Sequence, residues 1–128
     1  MDSANRYERG ILKLKEMYGA ERADGIIASL SDVAPDLARY MVEFVFGDIH
    51  CRPALDLKSR EIATIASLTT LANAPRQLRV HIHGALNSGC SQQEIIEVIL
   101  QMAVYAGFPA ALNAIQEARE VFRERGVK

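Results

Sequence analysis

The chain has 128 residues, of which 49% are hydrophobic and 24% charged, and its net charge at pH 7 is −1. This length predicts one domain over residues 1–128, and the balanced charge argues against nucleic acid or an anionic membrane as partner. No apolar run reaches the roughly 18 residues of a membrane span. The start, "MDSANRYERG", lacks the apolar core of a secretion signal, so we expect a cytoplasmic protein.

The first half of the chain predicts three helices, and no alternating strand pattern occurs. A polar helix over residues 2–18 ends at Gly19, and a short helix follows around residues 21–30. The third begins after Ser31 or Asp32 and runs to Gly47, with Pro35 in its first turn, where proline is tolerated. The predicted apolar contacts of the first helix are Tyr7, Ile11, Leu12, Leu14 and Met17.

The second half of the chain predicts four more helices. Asp56 is a good cap for a helix that ends before Pro75, and the next helix, residues 75–88, ends at Gly89. The sequence "SQQE" at residues 91–94 is a capping box that opens the sixth helix. The last helix is expected to turn four residues inward: Leu112, Ile115, Ala118 and Phe122.

The sixth helix, "EIIEVILQMAVYAG", is unusual because apolar residues surround it after Glu97. A helix that is apolar on every side must be buried on every side, and in a chain of this size a second subunit is the expected cover. The sequence therefore predicts an all-α domain of about seven helices that forms an oligomer.

Few residues are candidates for chemistry. The phosphate-binding, zinc-protease and serine-hydrolase motifs are absent, and the adjacent His50 and Cys51 do not have the spacing of metal ligands. His81 and His83 lie two positions apart, which in a helix places them about 200° apart, on nearly opposite faces. They cannot easily bind one metal, and periodicity alone does not choose between them. Each is also compatible with a structural histidine, as Glu61 is with a surface residue near a helix start.

The segment "LDLKSREIATIASLTTLANAPRQLRVHIHGALNSGCSQQEIIEVILQMAVYAGFPAALNA" resembles the carboxymuconolactone decarboxylase family, which shares the all-helical fold of the alkylhydroperoxidase D superfamily. The resemblance covers about residues 30–120. Its histidine motif, H-x-x-G-A-L-N, falls on His81, and the glutamate of its "RE" motif falls on Glu61. The position of His83 is often arginine in relatives, so the resemblance implies an auxiliary polar residue that helps to bind substrate.

The resemblance implies a carbon–carbon lyase of aromatic catabolism that decarboxylates 4-carboxymuconolactone or a related small lactone acid. The conjugated lactone carbonyl accepts the electrons that carbon dioxide leaves behind, so no cofactor and no metal is required. His81 would be the general acid and Glu61 would orient its ring. Arg52, in the loop before the fourth helix, is a candidate clamp for a substrate carboxylate. Trimers or hexamers are the implied assemblies.

Two alternatives remain open. The peroxidase branch of the superfamily carries C-x-x-C before the histidine, but Ala74 and Gln77 stand at those positions. Neither Cys51 nor Cys90 restores the motif, which argues against a thiol-dependent hydroperoxidase and favours reduced cysteines. A non-catalytic helical assembly module is the other alternative. A simple antiparallel hairpin would also leave Glu61 and His81 about 9 Å apart along the helix axis, so their proximity is predicted from the resemblance alone.

Overall fold

A computed structural model of the chain describes residues 3–126, and it is all-α: these residues contain seven α-helices, one π-helical segment and no strand. The predicted first residue of the first helix, Asp2, lies outside the described range. No helix in that range combines the length and hydropathy that crossing a membrane requires. The elements are α1 (Ser3–Tyr18), α2 (Ala20–Ser31), α3 (Pro35–Tyr40), the π-helix (Met41–Ile49), α4 (Leu57–Leu71), α5 (Pro75–Asn87), α6 (Gln92–Ala106) and α7 (Phe108–Glu124).

The chain forms two compact units, Met1–Leu55 and Asp56–Lys128. In the first unit, α1 packs against the π-helix at two glycines. A Cβ added to Gly10 would overlap the carbonyl oxygen of Val42, and one added to Gly47 would lie 2.5 Å from the carbonyl oxygen of Arg6. Any larger residue would therefore push the two backbones apart.

An ion-pair cluster joins the same two elements. Arg6 Nη2 lies 2.6 Å from Asp48 Oδ2, and Arg9 Nη2 lies 3.1 Å from Asp48 Oδ1. Arg9 Nε also donates to the carbonyl oxygen of Gly47 at 2.7 Å. The hydrogen bond from Arg6 holds the pKa of Asp48 below its usual value.

The first unit differs from the sequence prediction in two respects. The third predicted helix becomes π-helical from Met41 onward, with hydrogen bonds to the fifth residue instead of the fourth. Val42 and Phe46 are buried in this segment, and Phe44 is exposed. In α1, Tyr7 and Leu12 were expected among the apolar contacts, but they are 36% and 71% exposed. The buried face of the helix is formed instead by Leu14, Met17 and Tyr18.

The second unit packs α4 to α7 around an apolar cluster. Both predicted caps are confirmed: Asp56 Oδ1 accepts from the Ser59 amide at 2.8 Å, and Ser91 and Glu94 form the reciprocal capping box. Lys58 Nζ, in the first turn of α4, lies 2.9 Å from Glu94 Oε2. The cluster consists of Ile65, Leu78, Ile82, Ala85, Cys90, Ile95, Ile99, Ala111, Ala114, Ala118, Val121 and Phe122.

The apolar surface of α6 divides into a buried and an exposed side. Ile95 and Ile99 lie in the core. The exposed residues continue into α7 and form what we call the apolar face: Leu100, Val104, Tyr105, Phe108 and Leu112, each between 57% and 76% exposed. Leu112 was predicted to point inward, and that prediction was wrong because Ala111 and Ala114 occupy the inner positions of that turn.

Candidate active site

A fully buried glutamate stands near the start of α4. Glu61, Ile65 and Thr69 follow one another at four-residue spacing and form the buried side of the helix. Glu61 has 0% of its surface exposed. Since a buried carboxylate is costly without polar partners, its partners decide what it can do.

The partner that the structure gives to Glu61 is the imidazole of His81 on α5. His81 Nδ1 lies 3.3 Å from Glu61 Oε1 and 3.2 Å from Oε2, and 20% of the histidine side chain is exposed. An ionised carboxylate can only accept, so this geometry assigns the proton to Nδ1, which donates to Glu61. Nε2 is then the ring nitrogen that can exchange a proton with a substrate.

The predicted proximity of Glu61 and His81 is confirmed, although a simple hairpin placed them about 9 Å apart along the axis. That estimate counted all residues up to one turn position, whereas the connection between α4 and α5 takes up several residues that are not helical. Because α4 ends at Leu71 and α5 begins at Pro75, the two residues stand ten and six positions from their helix ends. The remaining offset is about 6 Å, which the two side chains can span.

His83 lies on the other side of α5 and is 3% exposed. Its Nε2 donates to Glu124 Oε2 at 3.0 Å, and its Nδ1 lies 3.4 Å from Arg125 Nη1. Arg125 Nη2 also donates to Asn87 Oδ1 at 2.9 Å. The two histidines therefore bond to different helices, as their spacing of two predicts: His81 to α4 and His83 to the end of α7.

Arg52 belongs to the first unit, Met1–Leu55, whereas the Glu61–His81 pair belongs to the second. It follows the π-helix, is exposed, and donates its backbone N–H to the carbonyl oxygen of Ile49 at 3.1 Å. Its use as a carboxylate clamp stays a prediction.

Both cysteines are free thiols. Burial, followed by the nearby Glu94 carboxylate, raises the pKa of Cys90 above its usual value. Cys51 Sγ donates to the carbonyl oxygen of Phe46 at 3.2 Å. A peroxidatic cysteine needs the opposite environment, with a lowered pKa, so the surroundings of Cys90 argue against the hydroperoxidase alternative. Over residues 3–126, no group of three or more His, Cys, Asp or Glu side chains is placed to hold a metal ion.

Two sets of contacts between α5 and α7 could not be predicted from the spacing of residues in the sequence. Glu124 and Arg125 lie more than 40 residues from His83, so no local spacing connects them with α5. Arg79 forms an ion pair with Glu117 of α7 that raises the pKa of the guanidinium. Contacts of this kind depend on the packing of α5 against α7 and cannot be read from either helix alone.

The profile of the carboxymuconolactone decarboxylase family matches residues 35–120. A 4-carboxymuconolactone decarboxylase from Acinetobacter baylyi (strain ATCC 33305 / BD413 / ADP1) is 32% identical over 127 residues, which cover 99% of this chain and 94% of that protein. Nitrosuccinic acid decarboxylase npaB from Metarhizium robertsii (strain ARSEF 23 / ATCC MYA-3075) is 29% identical over 109 residues, 85% of this chain and 76% of that protein. An uncharacterized 15.0 kDa protein from Paracoccus denitrificans is 35% identical over 97 residues, 75% and 72% of the two chains.

The helical fold and the relatives named as decarboxylases define this chain as an enzyme of the carbon–carbon lyase class. The similarity to the Acinetobacter relative extends over 99% of this chain at 32% identity. The chain belongs to the carboxymuconolactone decarboxylase family.

Proposed function

We propose that this chain decarboxylates 4-carboxymuconolactone, or a closely related small lactone acid, in aromatic catabolism and without a cofactor. The observation that carries the proposal is the hydrogen-bonded pair of His81 and the fully buried Glu61. The nearly full-length similarity to a protein of that named activity supports the choice of substrate.

The named substrates of two relatives share a chemical feature that narrows the substrate class. The carboxyl group that leaves 4-carboxymuconolactone is attached to the ring carbon next to the double bond that is conjugated with the lactone carbonyl, and nitrosuccinic acid carries a nitro group beside a carboxyl group. Each acceptor can take up the electron pair when the carbon–carbon bond breaks. We therefore propose a small polycarboxylic acid with its own electron acceptor as the substrate of this chain.

The proposed reaction has two steps. The bond between the ring carbon and the carboxylate breaks, carbon dioxide leaves, and the electron pair moves into the conjugated lactone to give a furan-type enolate. The imidazolium form of His81, which carries a proton on each ring nitrogen, then delivers the Nε2 proton to the carbon beside the lactone carbonyl to give the enol-lactone. The neutral imidazole afterwards takes up a proton from the solvent. An imidazole suits this step because its ordinary pKa of about 6.5 allows both forms near neutrality.

Glu61 is proposed to act through His81. Its carboxylate accepts from Nδ1 and so fixes both the tautomer and the orientation of the ring. It also stabilises the imidazolium that delivers the proton, because the negative charge lies in a buried environment where its effect is weakly screened. Glu61 is in these terms a positioning residue, and His81 is the catalytic one.

Arg52 and His83 are proposed to assist substrate binding in different ways. The guanidinium of Arg52 can bind the second carboxylate of the substrate through two parallel hydrogen bonds. His83 is proposed to contribute through α5, since its bonds to Glu124 and Arg125 hold the helix that carries His81.

The experiment is a turnover assay on purified protein with freshly generated 4-carboxymuconolactone, following the release of carbon dioxide. His81→Ala should lower kcat by about 100-fold or more, as expected for the loss of a general acid. Gln77→Ala is the matched control, because Gln77 is exposed on the same helix one turn before His81. Release that survives His81→Ala unchanged would refute the assigned role, and no release from a folded protein would refute the substrate.

A thiol reagent separates this proposal from the hydroperoxidase alternative. Alkylation of Cys51 and Cys90 should leave decarboxylation intact if the folded state is retained, which circular dichroism would verify. Loss of activity on alkylation without loss of fold would instead point to thiol chemistry. The non-catalytic alternative predicts that His81→Ala alters only stability.

We further propose that the chain assembles as a trimer or hexamer through the apolar face of α6 and α7. The five exposed apolar side chains form a patch of the kind that marks subunit contacts. Sedimentation should give a mass several times the 14.1 kDa of one chain. Val104→Glu should dissociate the assembly, because it would bury a charge in the contact. A monomer at high protein concentration would contradict the proposal.

A further inference from the structure

A small cavity lies in the Asp56–Lys128 unit, where the turn between α4 and α5 meets the first half of α7. Its volume is about 250 Å³. Neither Glu61 nor His81 is among the residues that line it. Six of its lining residues matter here: Thr69, Leu78, Ala110, Asn113, Gln116 and Glu117.

Thr69 carries a hydroxyl that is buried without a hydrogen-bond partner among the described residues. Threonine in a helix usually bonds the carbonyl of the residue four positions earlier. Thr64 and Thr70 on the same helix do so, each at 2.9 Å, to Arg60 and Ala66 respectively. Thr69 is 1% exposed and does not. A buried hydroxyl in this state is destabilising, and a ligand that supplied a partner would remove the penalty.

The rest of the lining restricts what such a ligand can be. Leu78 and Ala110 provide apolar contact, and the side-chain amides of Asn113 and Gln116 can donate and accept. Glu117 is the one charged residue in the lining, and its carboxylate is already paired with Arg79. Because the lining offers no cationic side chain, a carboxylate or phosphate ligand would lack a counter-charge there.

We propose that this cavity binds a small neutral molecule with an apolar body and a hydroxyl group, which forms a hydrogen bond with Thr69 Oγ1 when the threonine side chain rotates toward the cavity. The cavity is large enough for one aromatic ring with a substituent, at the lower end of the volumes of ligand sites. It is separate from the proposed catalytic pair: Thr69 lies eight residues after Glu61 on the same side of α4, about 12 Å along the axis. The proposal does not depend on the proposed function.

The experiment uses phenol as the probe and sodium benzoate as its charged counterpart, with the whole chain labelled with ¹⁵N. Phenol should shift the amide signals of the lining residues at millimolar concentration, and benzoate should bind at least about tenfold more weakly. Thr69→Val, which keeps the shape of the side chain, should weaken phenol binding by about fivefold. Thr70→Val is the matched control and should leave phenol affinity unchanged, since Thr70 does not line the cavity.

A second measurement, thermal unfolding without ligand, tests the state of the hydroxyl. Thr69→Val should leave Tm unchanged or raise it, because the variant removes a polar group that has no partner. A clear fall in Tm, with phenol affinity unchanged, would show that the hydroxyl is bonded within the protein and would overturn the proposal. Equal binding of phenol and benzoate would overturn the assigned ligand class, and no shift with phenol would overturn the site.

Discussion

Each unit of the chain buries one glutamate in a helix, and the two differ in their partners. Glu43 in the π-helix is 4% exposed and lies 3.4 Å from Nε of Arg39, a half-exposed guanidinium. Glu61 in α4 is completely buried and contacts the imidazole of His81. A guanidinium keeps its proton at every physiological pH, whereas an imidazole exchanges one near neutrality. Burial alone therefore does not identify a carboxylate with a proposed catalytic role, since both glutamates are buried. The distinguishing feature of Glu61 is a partner that can exchange a proton.

The units also differ in what holds them together. In Met1–Leu55, backbone meets backbone at Gly10 and Gly47, and Asp48 pairs with two arginines. In Asp56–Lys128, four helices pack around a cluster of aliphatic, alanine and phenylalanine side chains. The packing of the first unit requires glycine, which has no side chain, at the contact between α1 and the π-helix. The packing of the second unit requires side chains whose shapes fit one another.

The largest expected effect comes from the same substitution at the two buried glutamates. Glu61→Gln should lower kcat for decarboxylation by about 100-fold, because the amide neither fixes the tautomer of His81 nor stabilises the imidazolium. Glu43→Gln should leave kcat unchanged and lower the free energy of unfolding by about 1–3 kcal/mol, because it removes the charge from a buried hydrogen-bonded carboxylate. Steady-state kinetics and urea unfolding measure the two quantities. Equal losses of kcat in both variants would remove the distinction between the two carboxylates.

The next effect tests the close contact of α1 with the π-helix. Gly10→Ala should lower the free energy of unfolding by about 3 kcal/mol, since the new methyl group would overlap the backbone of Val42. Gly25→Ala is the matched control, because Gly25 lies in α2 with no atom within 4 Å of an added Cβ, and it should raise stability by about 0.5–1 kcal/mol. Chemical unfolding measures both, and a neutral Gly10→Ala would show that the contact can relax.

The smallest effect concerns Asp48 and depends on pH. Its pKa is lowered in the folded state, chiefly by the hydrogen bond from Arg6. A carboxyl group of this kind stabilises the fold above its unfolded pKa of about 3.9, and the stabilisation is lost as pH falls through the lower folded pKa. The Tm difference between wild type and Asp48→Asn should therefore be present at pH 7 and shrink below about pH 3.9. A difference that is the same at both pH values would assign the effect to packing.

Most of the helix boundaries could be predicted from the sequence, because capping and helix termination depend on residues within one turn of the boundary. Gly19, Asp56 and the Ser91–Glu94 box act within one turn of the chain, and all three stand at the predicted ends. The π-helix was not predicted, because its register is set by packing against α1 and not by the residues of the segment itself. The exposed position of Leu112 was missed for a related reason, since apolar spacing does not say which of two apolar sides faces the core.

The candidate site was predicted only with help from the family resemblance. Periodicity gave the opposite faces of His81 and His83, which the structure confirms, but it gave no partner for either. Partners such as Glu61 and Glu124 lie 20 and 41 residues away, and no spacing rule relates them. The catalytic role of the pair and the parts assigned to Arg52 and His83 stay predictions.

The spacing of the two histidines has a mechanical consequence. Because His81 bonds to α4 and His83 bonds to the end of α7 from nearly opposite sides, any rotation of α5 about its own axis must strain both hydrogen bonds at once. A rotation of about 10° would move a side-chain tip by about 1 Å, a displacement large enough to reduce catalysis strongly. His83 thus limits the rotation of α5, the helix that positions His81.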